Sequence, residues 1–138
     1  CKESNFKNTN LSGAKFEQTN FNKTDFTHAK LIGVKAQMCN FKESVFDGSI
    51  LDDFKGDMAL FEKVVLKDIK IKNCCFDGFV FKDCTLKDCL FEDCSFEGVS
   101  FLNSTIDTTG FYGSSFEKPL FSESELKGCK FVNIDSKR

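Results

Sequence analysis

Histidine, proline, tyrosine and tryptophan are nearly missing from this 138-residue chain, which has one His, one Pro, one Tyr and no Trp. The single histidine, His28, leaves no pair of imidazoles for a metal centre, and no nearby Cys or Ser that the sequence would fix as a nucleophile. Long hydrophobic runs are missing too. No apolar stretch approaches the ~20 residues of a membrane span, and neither a signal-peptide pattern nor a lipidation tail is present. Nor is there an excess of one charge. Nineteen basic and 21 acidic residues give a formal charge of −2, which makes no electrostatic case for nucleic acid or an anionic membrane. A glycine-rich phosphate loop is absent. The carboxylate pairs Asp52–Asp53 and Glu92–Asp93 fall on a surface expected to be convex, with no cleft to shift their pKa. These absences lead to an expectation of no catalytic site, no cofactor and no metal. The chain begins at Cys1 and not Met, so a trimmed or partial chain is expected.

Against these absences stand 18 phenylalanines, and they are not scattered. Every fifth position from Cys1 through Ser136 belongs to one class. Of the 28 positions in it, 16 are Phe, six Leu and two Ile; the exceptions are Cys1, Ala36, Gly56 and Ser136. Two residues before each centre lies a second class, mostly Ser, Thr, Ala, Val or Cys, and the remaining Phe54 and Phe79 fall there. A period of five fits neither a helix nor a long strand. It fits a backbone that turns a corner every five residues, directing the centre and the residue two before it inward. Four such segments close a square coil of twenty residues, and coils stack at about 4.8 Å.

The segments AKFEQ (14–18), CLFED (89–93) and CSFEG (94–98) carry this pattern clearly. It resembles the pentapeptide-repeat family across essentially the whole chain. The resemblance implies an all-β, right-handed quadrilateral β-helix in one domain, 1–138, of about seven coils and roughly 30 Å in length. In rows of twenty, one column reads Phe21, Phe41, Phe61, Phe81, Phe101, Phe121, an unbroken aromatic series. Another reads Phe16, Ala36, Gly56, Phe76, Phe96, Phe116, and beside its gap Phe54 replaces the usual small residue, restoring volume. Glycines recur at the corners, as at Gly13, Gly33, Gly48, Gly78 and Gly98.

The coil also explains CTLKDCLFEDC, whose Cys84, Cys89 and Cys94 fall on successive sides. Six of the eight cysteines hold the small inward position, where Cys serves as a small buried hydrophobe and not a zinc ligand. Cys74 and Cys94 lie one coil apart, within disulfide range, but free thiols are expected in a reducing compartment. Cys75 alone falls outward and is a candidate reactive thiol.

Outside, one column reads Glu17, Gln37, Asp57, Asp77, Glu97, Glu117, and its neighbour reads Lys15, Lys35, Lys55, Cys75, Ser95, Ser115. Lysines therefore compensate only the first half. Leu60, Val80, Leu102 and Leu120 are expected outward on the all-Phe side, with Met38 and Met58 stacked on the next. Asp57, Asp77, Glu97, Glu117 and these four apolar residues are the candidate partner-binding set. The reading is a non-enzymatic protein-interaction module, the repeat region of a larger bacterial protein or effector, with another protein as partner and no direct contact with nucleic acid or membrane. The family resemblance implies an alternative: a DNA-mimicking binder of DNA gyrase or topoisomerase IV of the quinolone-resistance type. Near-neutral charge and the lack of a loop in the repeat set this sequence apart from that type. An open coil end is a pairing surface for a second copy. A cytoplasmic location is expected, with secretion as an effector the alternative.

Overall fold

The computed structural model describes residues 1–135. Each five-residue segment sends its centre inward and then turns. The turn needs a left-handed residue two places after the centre. Every fifth residue from Glu3 to Asn133 has positive φ, twenty of them non-glycine and seven glycine. Nine of the twenty are Asn or Asp, the side chains that tolerate this conformation best. In many corners the next amide closes the turn, as where Thr9 N donates to Phe6 O at 3.2 Å and Thr24 N to Phe21 O at 3.1 Å.

The coils stack in parallel with a register of twenty. On the first side Leu60–Glu62, Val80–Lys82, Ser100–Leu102 and Leu120–Ser122 form a four-stranded sheet. On the second side the sheet is Val65–Lys67, Thr85–Lys87, Thr105–Asp107 and Glu125–Lys127. On the third it is Lys70–Lys72, Leu90–Glu92, Gly110–Tyr112 and Lys130–Val132. The fourth side begins with the pair Lys15–Glu17 and Lys35–Gln37 and continues by single bridges from Lys35 through Lys55, Cys75, Ser95 and Ser115 to Asp135. The result is an all-β parallel solenoid of about six turns, one fewer than the seven expected. On their other three sides the lowest coils make single bridges in place of strands. There Asn5, Asn10, Asn20, Asp25 and Asn40 each accept a hydrogen bond from the amide two residues on, which competes with strand geometry.

The centres fill the interior. Twelve Phe side chains are fully buried, each contributing roughly 1.5–3 kcal/mol by removal from water. Most rings in a column lie flat on their neighbours, as Phe21 on Phe41 (5.1 Å, 9°), Phe81 on Phe101 (4.7 Å, 10°) and Phe101 on Phe121 (5.1 Å, 5°). Phe61 does not. It stands at 88° to both Phe41 and Phe81, so the aromatic column is continuous in sequence but broken in stacking.

The small inward residue does more than save space. Ten times its hydroxyl or thiol donates to the carbonyl 23 residues earlier, that is, to a centre residue of the coil below. Ser44 Oγ reaches Phe21 O at 2.6 Å, and Cys84, Cys89 and Cys94 Sγ reach Phe61, Leu66 and Ile71 O at 3.3, 3.3 and 3.7 Å. The thiols act as donors as well as small hydrophobes, filling the role of serine and threonine with weaker bonds.

Candidate interaction surface

The fourth side and its corner carry the acidic column. Backbone register places Lys35, Lys55, Cys75, Ser95 and Ser115 one above another, and two residues on, Asp57, Asp77, Glu97 and Glu117 follow the same stacking. The acids are not equivalent. Asp57 Oδ1 accepts from Cys75 Sγ at 3.2 Å. Asp77 Oδ1 accepts from Ser95 Oγ at 2.5 Å and from Glu97 N at 3.0 Å. These two carboxylates tie adjacent coils together. Glu117 has Lys118 Nζ at 3.8 Å. Among the described residues, no side-chain hydrogen bond or ion pair engages the Glu97 carboxylate, and its residue is exposed. A cleft of about 160 Å³ opens beside it, lined by Ser95, Glu97, Ser115, Phe116, Glu117 and Asp135.

Cys75, expected outward and reactive, is half-buried instead. Burial pushes its thiol up to about 12, and the carboxylates of Asp57 and Asp77 add to the rise. A thiol held protonated is a poor nucleophile. Its column packs toward the neighbouring acids, a placement that the five-residue class alone does not show. The eight cysteines are all free. The hydrogen bond to Cys94 and burial push the Cys74 thiol up as well.

The apolar candidates do not assemble into a patch. Leu60 and Val80 are paired neighbours and half-buried, but Ser100 follows Val80 in their column. Leu102 lies at the opposite edge of the strand, and Leu120 is the exposed member. Met58 is exposed and leans on Gly78. At the last coil Phe121, Leu126 and Phe131 are exposed despite facing inward, since no coil lies above them among the described residues.

Two carboxylates outside the candidate set, Glu92 and Glu62, organise lysines elsewhere. Glu92 takes Lys70 and Lys72 at 3.2 and 3.0 Å, which hold its carboxyl below the ordinary range. Glu62 takes Lys42 and Lys82 at 3.3 and 3.8 Å. Both pairings follow from the twenty-residue register, Lys72 under Glu92 and Lys42, Glu62 and Lys82 in one column, so the row-of-twenty alignment held the signal. These are surface pairs of small worth. Among the described residues no group of three His, Cys, Asp or Glu is disposed to hold a metal ion, and no helix is long and apolar enough to cross a membrane.

Two family models match the sequence. Pentapeptide repeats in eight copies match residues 1–35 and 24–55, and a pentapeptide repeat region matches residues 66–137. A search of the curated proteins finds no match. Among solved structures, the chain is similar to HetL, a pentapeptide repeat protein involved in heterocyst differentiation regulation from the cyanobacterium Nostoc. The TM-score is 0.66 at 13% identity, covering 94% of this chain and 60% of HetL. It also aligns with QnrB1, a plasmid-mediated fluoroquinolone resistance protein, at a TM-score of 0.46 and 17% identity, over 93% of this chain and 87% of that one. The likeness to HetL is one of fold, and the chain spans 60% of HetL's length.

Proposed function

The chain belongs to the pentapeptide-repeat family, and from that premise we propose that it is a non-enzymatic interaction rod that presents an acidic edge to a basic surface of another protein. The observation that carries this is Glu97: an exposed carboxylate beside a cleft, one coil below Glu117, in a column whose neighbour offers Ser95 and Ser115 where the lower coils offer lysine. Carboxylates of the same column lower down are engaged internally by Cys75 and Ser95. The upper edge is therefore the part left to a partner. In this reading the rod is the repeat region of a larger bacterial protein working in the cytoplasm, with secretion as an effector the alternative. The last described coil, with Phe121, Leu126 and Phe131 exposed, is the end that pairs with a second copy.

The test is affinity capture with the purified chain, compared with Glu97→Lys/Glu117→Lys and with a control reversal of the lysine-bearing half, Lys15→Glu/Lys35→Glu. A partner retained by the control and lost with the upper reversal supports the reading. Capture indifferent to both reversals sinks it. The acidic row also favours a second reading, a mimic of a phosphate row acting on a type II topoisomerase. A gyrase supercoiling assay with and without a fluoroquinolone separates the two. Inhibition or protection at micromolar protein, lost in Glu97→Lys/Glu117→Lys, selects the mimic; no effect at tens of micromolar leaves the general interaction rod.

A further inference from the structure

Among the described residues, backbone hydrogen bonds join successive coils on every side, with one interruption. Between the third and fourth coils, five bonds that the register calls for are missing, those from the amides of Phe46, Gly48, Leu51, Val65 and Lys70. One coil below, their counterparts are formed: Phe26 N to Val45 O, His28 N to Asp47 O and Leu31 N to Ile50 O at 2.8 Å, and Val45 N to Thr24 O and Ile50 N to Ala29 O at 3.0 Å. One coil above, Thr85 N reaches Val64 O at 3.1 Å and Leu90 N reaches Ile69 O at 2.9 Å. The gap covers the second side and most of the third. The first side stays joined, by Phe41 N to Leu60 O and Glu43 N to Glu62 O. So does the fourth, by Gly56 N to Cys75 O and Met58 N to Asp77 O, and the end of the third, by Asp53 N to Lys72 O. The second-side sheet accordingly starts at Val65 and the third-side sheet at Lys70.

Two residues lie at the gap. Val64 and Ile69 sit in the small inward columns, where the coil below has Ser44 and Ser49 and the coil above has Cys84 and Cys89. Their branched side chains are buried and carry no donor for the carbonyls of Phe41 and Phe46, so no side-chain bond spans what the backbone leaves open. Ser49 Oγ turns instead to Phe46 O at 2.7 Å, a contact within its own corner. Phe61, the ring standing edge-on to its column, lies at the same level. Outside, a cleft of about 390 Å³ lined by Glu43, Ser44, Val45, Lys63 and Val65 among others opens beside the unpaired groups of the second side. The two family matches also part here, at residues 55 and 66.

We propose that this junction is a one-sided hinge. Coils joined on two adjacent sides and parted along the second and most of the third can rotate about the corner between the joined sides, near Met38, Met58 and Gly78, opening and closing the cleft without unfolding either block. The surface chemistry changes at the same level, from Lys15, Lys35 and Lys55 below to Cys75, Ser95 and Ser115 above. Hinge motion therefore re-aims the acid-rich upper block against the lysine-compensated lower one. Thermal opening of already unpaired edges costs no backbone hydrogen bond, which is why the motion belongs at this level and no other.

Amide hydrogen exchange on the full chain, read residue by residue, tests this. The amides of Phe46, Gly48, Leu51, Val65 and Lys70 are expected to exchange about 100-fold faster than those of Phe26, His28, Leu31, Thr85 and Leu90. Val64→Thr with Ile69→Thr returns a hydroxyl donor to each column and removes a methyl group from Ile69's, and is expected to slow all five. Protection within about threefold of the counterparts in the unaltered chain overturns the proposal. Fluorophores carried on non-natural residues at Thr27 and Asp107, on the second side either side of the gap, supply the second readout. A broad distance distribution that narrows in the double variant supports the hinge; one narrow distance in both chains overturns it.

Discussion

Phe79 occupies the space that Gly56 leaves in the core: a methyl group on Gly56 would lie 2.6 Å from Phe79 Cε2 and 2.8 Å from Phe54 Cε1. The two phenylalanines that stand out of class in the sequence are the two that close on this glycine. Phe79 also meets Phe61 edge-on at 4.8 Å and 87°, so the exchange of volume extends to the turned ring at the hinge level.

Gly56→Ala is therefore expected to destabilise the fold by about 1–3 kcal/mol, since packed aromatic rings leave no room for the added carbon. Chemical denaturation measures this. Gly56→Ala combined with Phe79→Leu should recover part of the loss, and equal stability of Gly56→Ala and the parent would contradict the packing described.

Corner strain gives a change of opposite sign. Thr108 holds φ of 50° with a β-branched side chain, a combination that costs energy in the left-handed region. Thr108→Gly is expected to raise stability by about 1 kcal/mol. Gly48→Ala, at φ 63° and with the His28 imidazole against the new methyl group, is expected to lower it. Thermal melts of the pair, moving in opposite directions, are the check.

Asp77 is expected to matter for stability before it matters for binding. Its Oδ1 holds both Ser95 Oγ and Glu97 N, and Asp77→Ala should cost about 1–2 kcal/mol. Ser95→Ala should cost less, because Glu97 N remains bonded. Urea titration of both variants decides. A fully neutral Asp77→Ala would mean that this carboxylate is free for a partner after all.

Alkaline pH should loosen the rod. Burial pushes Cys75 up to about 12 and Cys84 up to about 11, from an ordinary value of 9.0. A thiol whose folded pKa exceeds its unfolded one gives up its proton more readily when unfolded. Its contribution is thus complete below about pH 9 and declines as pH rises toward the folded values. The melting temperature is expected to fall between pH 8.5 and pH 11 by more in the parent than in Cys75→Ser/Cys84→Ser, with pH windows of about that width following from the shifts. At pH 8, iodoacetamide should reach exposed Cys1 well before Cys75.

The five-residue period by itself determined which residues face inward, where the corners fall, that coils of twenty stack in register, and that Cys84, Cys89 and Cys94 are core. This was legible because each corner is set by local backbone sterics and each centre by burial, and both repeat along the chain. The rows of twenty also displayed the acidic column and the unusual Phe54. What a cysteine or a carboxylate does at its place was decided only by the tertiary structure. Whether Cys75 is open or covered depends on Asp57, eighteen residues away, and whether Asp77 is free depends on Ser95 in the coil above. The turned ring of Phe61 and the parted coils at Val64 and Ile69 likewise arise from the summed volumes and hydrogen-bond demands of neighbouring coils. A period repeated along one strand of sequence does not contain that sum; it exists only once the coils are stacked.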